Sequence, residues 1–307
     1  MSDFNFIFLK TLSVVAIGFL LKKAGVLTIE HGKALSRIIF NITLPALILQ
    51  TVSNIELDFS LFLAPLICLF HSLGVSVLSG FLFKNEIDKD KGISRMCSVG
   101  FNVGLFAYPI IYGLFGASGL SAIAMFDFGN AFVVFGLSYF MGFIYSGNRA
   151  GRKLTFKEIF ILFGTSIPFM SYLIAIVLNL TGVRLSGFPS DVLEVLAQAN
   201  TGMALVVLGL TFDFHFESSP WKLITRVLVL RYAAGLAVGL LLYLLLPFSH
   251  LYRMVLFLSL ILPAGIAVIP YSVEFEYDTR IAGTIANLTM IISFALMWIF
   301  IILVRPV

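Results

Sequence analysis

The chain is dominated by apolar runs about as long as a membrane is thick, and this restricts what it can fold into. A helix needs about 20 predominantly apolar residues to cross the hydrocarbon core. Such runs, separated by charged or Gly/Pro turns, fall near residues 5–21, 35–53, 61–83, 93–114, 119–145, 159–180, 191–211, 222–246, 252–273 and 280–304. Ten spans in 307 residues leave no room for a sizeable soluble domain. Composition agrees: 60% of residues are hydrophobic and 12% charged, against about 45–50% and about 25% in an average soluble domain. The expected fold is an all-α polytopic membrane protein. The first run ends in Lys22-Lys23 without a small-residue cleavage site, so it reads as a span rather than a signal peptide.

Charge then sets orientation. Basic residues gather in alternate loops: Lys22, Lys23 and Lys33; Lys84, Lys89 and Lys91; Arg149, Arg152, Lys153 and Lys157. The loops Ser53 to Ser60 and Gly116 to Gly119 have none. The positive-inside rule makes the basic loops cytoplasmic and places both chain ends outside. The net charge of +4 is thus a topology signal, not a nucleic-acid footprint. Cys68 and Cys97 lie in or beside apolar stretches, which indicates neither a disulfide framework nor a metal site.

The basic loop 147–158 also divides the chain into halves, 1–146 and 159–307, that look like copies. Asn41-Ile-Thr-Leu-Pro-Ala-Leu-Ile-Leu is echoed by Asn200-Thr-Gly-Met-Ala-Leu-Val-Val-Leu, Arg95-Met96 by Arg253-Met254, and Asp127 by Asn287. Five spans per half would make the copies inverted, an arrangement typical of secondary transporters. Spans four and nine cannot be ordinary helices. They read Gly100-Phe-Asn-Val-Gly-Leu-Phe-Ala-Tyr-Pro109 and Leu262-Pro-Ala-Gly265-Ile-Ala-Val-Ile-Pro270. Proline removes a donor and glycine lets the chain leave helical geometry. A half-helix starting at such a break points free N–H groups and its positive dipole end at the midplane, which suits a carboxylate.

Polar residues inside the spans complete the list of candidates. Asp127 is an intramembrane carboxylate, read either as a proton or cation site or as a structural hydrogen bond between spans. Asn130 lies on its helical face, and Asn287 holds the equivalent place in the second half. Asn102 and Asn41 are the leading ligand candidates, because an amide both donates and accepts; interhelical bonding is the alternative, as it is for Asn200 and Gln198. Arg231 reads either as an anion anchor or, as is expected here and for Lys10, as a residue reaching for the interface; His71 reads either as a proton relay or, as is expected, as a packing donor.

These residues resemble the auxin efflux carrier family, and in particular its bacterial malonate or malate permease branch. The resemblance rests on Asn102, Gly104 and Pro109 followed by Leu-Phe-Gly116, on Leu262-Pro263-Ala264-Gly265-Ile266, and on Asn41 with Leu44-Pro45-Ala46. It covers essentially the whole chain. Two departures are Ala107 where glycine is common, and the wide spacing of Pro263 and Pro270. The resemblance implies ten helices in two inverted five-helix repeats. Broken helices 4 and 9 would cross in a mobile transport domain (helices 3–5 and 8–10), against a scaffold (helices 1, 2, 6 and 7) that makes a homodimer contact. The residues expected to bind substrate are Asn102, Gly104, Pro109, Asn41, Pro263, Gly265 and Pro270. Ion or proton coupling would fall to Asp127, Asn130 and Asn287.

The function expected is therefore secondary transport of a small organic anion, such as malonate, malate or an auxin-like acid, by elevator-type alternating access in a bacterial cytoplasmic membrane. No cofactor is expected beyond a coupling proton or sodium ion. The alternatives are a sodium-coupled organic-anion symporter like the bile-acid carriers, and a carrier-fold membrane sensor. Enzyme motifs such as His-Glu-x-x-His or Gly-x-Ser-x-Gly are absent.

Overall fold

A computed structural model describes residues 2–55, 59–146, 155–213 and 220–304. The predicted linker 147–158 thus lies outside the described residues as far as position 154. Helix is the regular structure throughout: α1 Ser2–Lys23, α2 Ile29–Val52, α3 Phe59–Leu82, α4 Asp88–Ser98, α5 Val103–Tyr145 and α6 Phe156–Thr165. There follow α7 Ile167–Leu180, α8 Phe188–Thr211, α9 Trp221–Leu245, α10 His250–Leu260, α11 Val268–Glu274 and α12 Thr279–Val304. Their starts follow local chemistry. Thr28 and His31 form a reciprocal capping box at α2, as Thr155 and Glu158 do at α6, and Ser166 and Ser249 cap α7 and α10. Lys22 and Lys23 close α1, where a helix C-terminus favours cations.

Seven helical runs among the described residues are long and apolar enough to cross a membrane unaided. The predicted spans missing from that set are the interrupted ones. Span six is two helices, α6 and α7, parted at Ser166. Spans four and nine each stop and restart, and the second part of span four continues into span five within the 43-residue run of α5. That run is not straight. Gly116 has φ 59° and ψ −148°, and a Cβ on Gly119 would lie 3.0 Å from Ile111 Cγ2, eight residues earlier. Eight residues of straight helix rise about 12 Å, so α5 doubles back into two arms, residues 103–115 and 117–145.

Two packed groups result. In one, α1 lies along α8 and α2 lies against α7 and α8. Gly18 and Gly209 let α1 and α8 touch backbone to backbone: a Cβ on Gly209 would sit 2.1 Å from Val15 O. Thr43 donates to Asn200 Oδ1 at 2.9 Å between α2 and α8. In the other group α3 packs on α5, α9 on α10 and α4, and α12 on α11. Large side chains such as Phe70, Phe81, Leu244 and Leu303 are left exposed on the outer faces, as lipid contact allows.

Candidate functional site

The site is built where two helices fail. α4 ends at Ser98, Val99 is extended, and Gly100 takes φ 74°, a left-handed conformation that favours glycine. α10 ends at Leu260 and helix resumes only at Val268. The two non-helical segments cross as an antiparallel bridge between Phe101 and Ala264, with Asn102 N donating to Pro263 O at 2.9 Å.

Backbone freed from a helix in an apolar setting needs partners, at several kcal/mol per orphaned group. Asn130 supplies two of them: Oδ1 accepts from Phe101 N and Nδ2 donates to Phe101 O, both at 2.9 Å. In the second half Thr289 Oγ1 accepts from Ala264 N at 3.1 Å. Arg231 donates to the carbonyls of Cys97, Ser98, Gly100 and Leu262 at 2.9–3.2 Å. Pro263 carries no N–H and so leaves none to satisfy.

A cavity of about 300 Å³ opens beside this crossing. Its polar wall is Asn102, Asp127, Asn130 and Tyr172, and Phe40, Leu44, Phe135 and Phe169 form much of the rest. Asp127 Oδ1 accepts from Asn130 Nδ2 at 3.0 Å and Oδ2 from the Tyr172 hydroxyl at 2.8 Å. The Tyr172 hydroxyl also bonds that of Tyr108. This chain therefore runs from the crossing, through α5, to α7. Asn102 caps α5, its Oδ1 accepting from Leu105 N at a long 3.4 Å. Its Nδ2 is buried in the cavity wall with no protein partner.

Each of the π-helical turns at Ile39–Thr43, Val103–Ala107 and Val133–Ser138 supplies a lining residue, respectively Phe40, Gly104 and Val134. π turns recur at functional sites because the wider turn displaces side chains and backbone from helical register. A larger cavity of about 610 Å³ lies at the other end of α2 and α8, lined by Gln50, Asn54, Glu194 and Gln198 together with Ser118 of α5. It does not reach the breaks. Leu44 borders the smaller cavity and Leu47 the larger, so less than one turn of α2 separates them.

Of the predicted residues, Asn102, Gly104, Gly265, Pro270, Asp127 and Asn130 come together around the smaller cavity. Four do not. Asn41 is exposed and its Nδ2 donates to Arg37 O at 2.6 Å, one turn back on its own helix. Pro109 is buried in the turn after Val103–Ala107 and lines no wall of this cavity. Pro263 lines no wall of this cavity, and its carbonyl accepts from Asn102 N. Asn287 accepts from Asp213 N at 3.3 Å and donates to Gly283 O at 3.0 Å.

Arg231, expected to reach for the interface, is 5% exposed beneath the crossing. Tyr172 and Thr289 are not among the residues predicted from sequence. Thr289 carried a signal, since it follows Asn130 by the same separation that divides Asn41 from Asn200. Tyr172 carried none, because an apolar span with one tyrosine looks like any other. His71 stacks on Phe101, ring centroids 6.0 Å apart. Among the described residues there is no group of three or more His, Cys, Asp or Glu able to hold a metal ion.

Comparison with known proteins gives a consistent picture. The family described as "Membrane transport protein" matches residues 7–154 and 165–301. An uncharacterized transporter of Methanothermobacter thermautotrophicus is 26% identical over 299 residues, covering 93% of each chain. An uncharacterized transporter of Methanocaldococcus jannaschii is 24% identical over 297 residues, covering 92% of each.

Proposed function

Because the chain belongs to the membrane transport protein family, the grouping of the auxin efflux carriers, we propose that it carries a small organic anion, a carboxylate or dicarboxylate such as malonate or malate, by elevator-type alternating access. The protein is an integral membrane transporter and not an enzyme. What supports the anion is one observation: Asn102, at the start of α5, lines the cavity beside the crossing, and its buried side-chain Nδ2 has no protein partner. A helix start and a free N–H donor both favour a carboxylate. The cavity's volume of about 300 Å³ is at the small end of ligand sites, which suits a short acid better than a sterol-sized one.

Alternating access is supported by the near approach of the two cavities across α2, with the crossing on one side of the division. In this reading α1, α2, α7 and α8 are the scaffold, through which two copies associate, and the elements around the crossing move. The halves 1–146 and 159–307 are then inverted repeats. With the basic loops cytoplasmic, the smaller cavity faces inward and the larger outward. Asp127 is the coupling site, held by Tyr172 of the scaffold in the inward state. The test is uptake of labelled malonate and malate into proteoliposomes with proton and sodium gradients imposed separately. Uptake driven by a proton gradient supports Asp127 as coupling group, and uptake driven by sodium alone moves the protein to the sodium-coupled reading. No flux or exchange of any carboxylate refutes the anion assignment.

A further inference from the structure

Arg231 sits in the middle of α9 with 5% of its surface exposed, although an arginine in an apolar helix ordinarily stretches to water. Its guanidinium bonds only backbone carbonyls: Nη1 to Cys97 O (3.1 Å) and Ser98 O (2.9 Å), Nη2 to Gly100 O (3.0 Å) and Leu262 O (3.2 Å). Three of those carbonyls lie at the broken end of α4 and one follows the end of α10, so one side chain ties both breaks together. Cζ stands 5.3 Å from the centroid of the Phe101 ring. Among the described residues no carboxylate is paired with it.

A buried charge without a counter-ion is costly, and a ligand of opposite sign relieves that cost. The four carbonyls serve Nη1 and Nη2, while the buried Nε has no hydrogen-bond partner. Phe101, next to the bonded Gly100, already lines the cavity. Resting on the reading of that cavity as a carboxylate site, we infer that Arg231 is a positioning residue that locks the two breaks together and sets their preference for negative charge without touching the ligand. At an effective dielectric of about 20, a unit charge within about 10 Å of an anion shifts its affinity by about tenfold or more. Arginine is suited to this place because its planar fork serves several carbonyls at once, which a lysine ammonium does not.

The test uses the full chain purified as wild type, Arg231→Gln and Arg231→Lys, with binding of malonate and of its uncharged diamide, malonamide, measured by calorimetry. Arg231→Gln is expected to weaken malonate at least tenfold and malonamide less than twofold. Arg231→Lys is expected to keep the malonate preference within threefold of wild type. Amides 97–102, 261–262 and 264–265 should exchange with deuterium faster in both variants, because the fork is gone.

Wild-type malonate affinity in Arg231→Gln, or an equal loss in Arg231→Lys, overturns the inference. If Arg231→Gln does not fold, the lysine variant decides: a retained preference supports the inference and a tenfold loss overturns it. If wild type binds no malonate, malate or succinate, the anion reading fails on its own. The positioning claim then stands or falls on whether exchange rises at both breaks in Arg231→Gln.

Discussion

Replacing Asn130 with alanine strikes the crossing at its most connected side chain. Asn130 is 4% exposed and spends both of its polar atoms on Phe101, at 2.9 Å each, while also donating to Asp127 at 3.0 Å. The alanine variant orphans a buried N–H and a buried C=O, each at about 1–3 kcal/mol, and removes a donor from a carboxylate. The expected loss is about 3–6 kcal/mol, a large part of a typical total stability of about 5–15 kcal/mol.

Asn287→Ala is the control, because sequence symmetry pairs Asn287 with the same region of the first half. Its Nδ2 donates to Gly283 O, a carbonyl of its own helix, and its Oδ1 accepts from Asp213 N at a long 3.3 Å. Removing it should cost about 1 kcal/mol. Denaturant titration of both variants in one detergent measures the difference. Should Asn130→Ala lose no more stability than Asn287→Ala, the claim that Asn130 holds the broken backbone together is wrong.

Asn102→Ala should weaken carboxylate binding at least tenfold with little change in unfolding midpoint, since its amide makes only one long bond within the protein; Pro109→Ala, away from the cavity, should leave binding within about twofold. Equilibrium titration of the two separates ligand contact from helix shape, and equal losses would contradict the assignment. Asp127→Asn should make uptake insensitive to an imposed proton gradient while exchange continues, and Tyr172→Phe should shift the pH profile of uptake without abolishing it; a gradient response surviving in Asp127→Asn removes the aspartate from coupling. Gly209→Val should prevent α1 from seating on α8, because a Cβ there already lies 2.1 Å from Val15 O, whereas Gly202→Ala meets nothing within 4 Å and should be silent. Recovery of folded protein from membranes measures both.

Much of this architecture was legible because hydrophobic runs and helix breakers act locally. A stretch such as 222–246 has one stable form in lipid, and α9 is within a residue of it at each end. The breaks were legible for the same reason, since glycine and proline act on their own backbone. What their neighbours do was not. The offset of the repeat drew attention to Asn287, yet Thr289 makes the contact, because a bond to Ala264 N depends on which face of α12 meets the break. Asn41 matched a motif but lies on the outer face of its turn. Arg231 looked like a residue seeking water because its partners, carbonyls on distant segments, leave no mark in the sequence around it.

The crossing also constrains how the protein is made. The carbonyls of Cys97, Ser98 and Gly100 are completed by a side chain at least 131 residues further along, and Asn102 N by a carbonyl some 160 residues away. When the ribosome has delivered the first five spans, the end of α4 still lacks its donors. Oily surroundings at that stage would tax every bare carbonyl. The nascent half must therefore wait somewhere wet or proteinaceous, at the insertion machinery or beside a chaperone, until α9 and α10 arrive. Biogenesis, more than stability of the finished molecule, is where a lesion at Arg231 would first be felt.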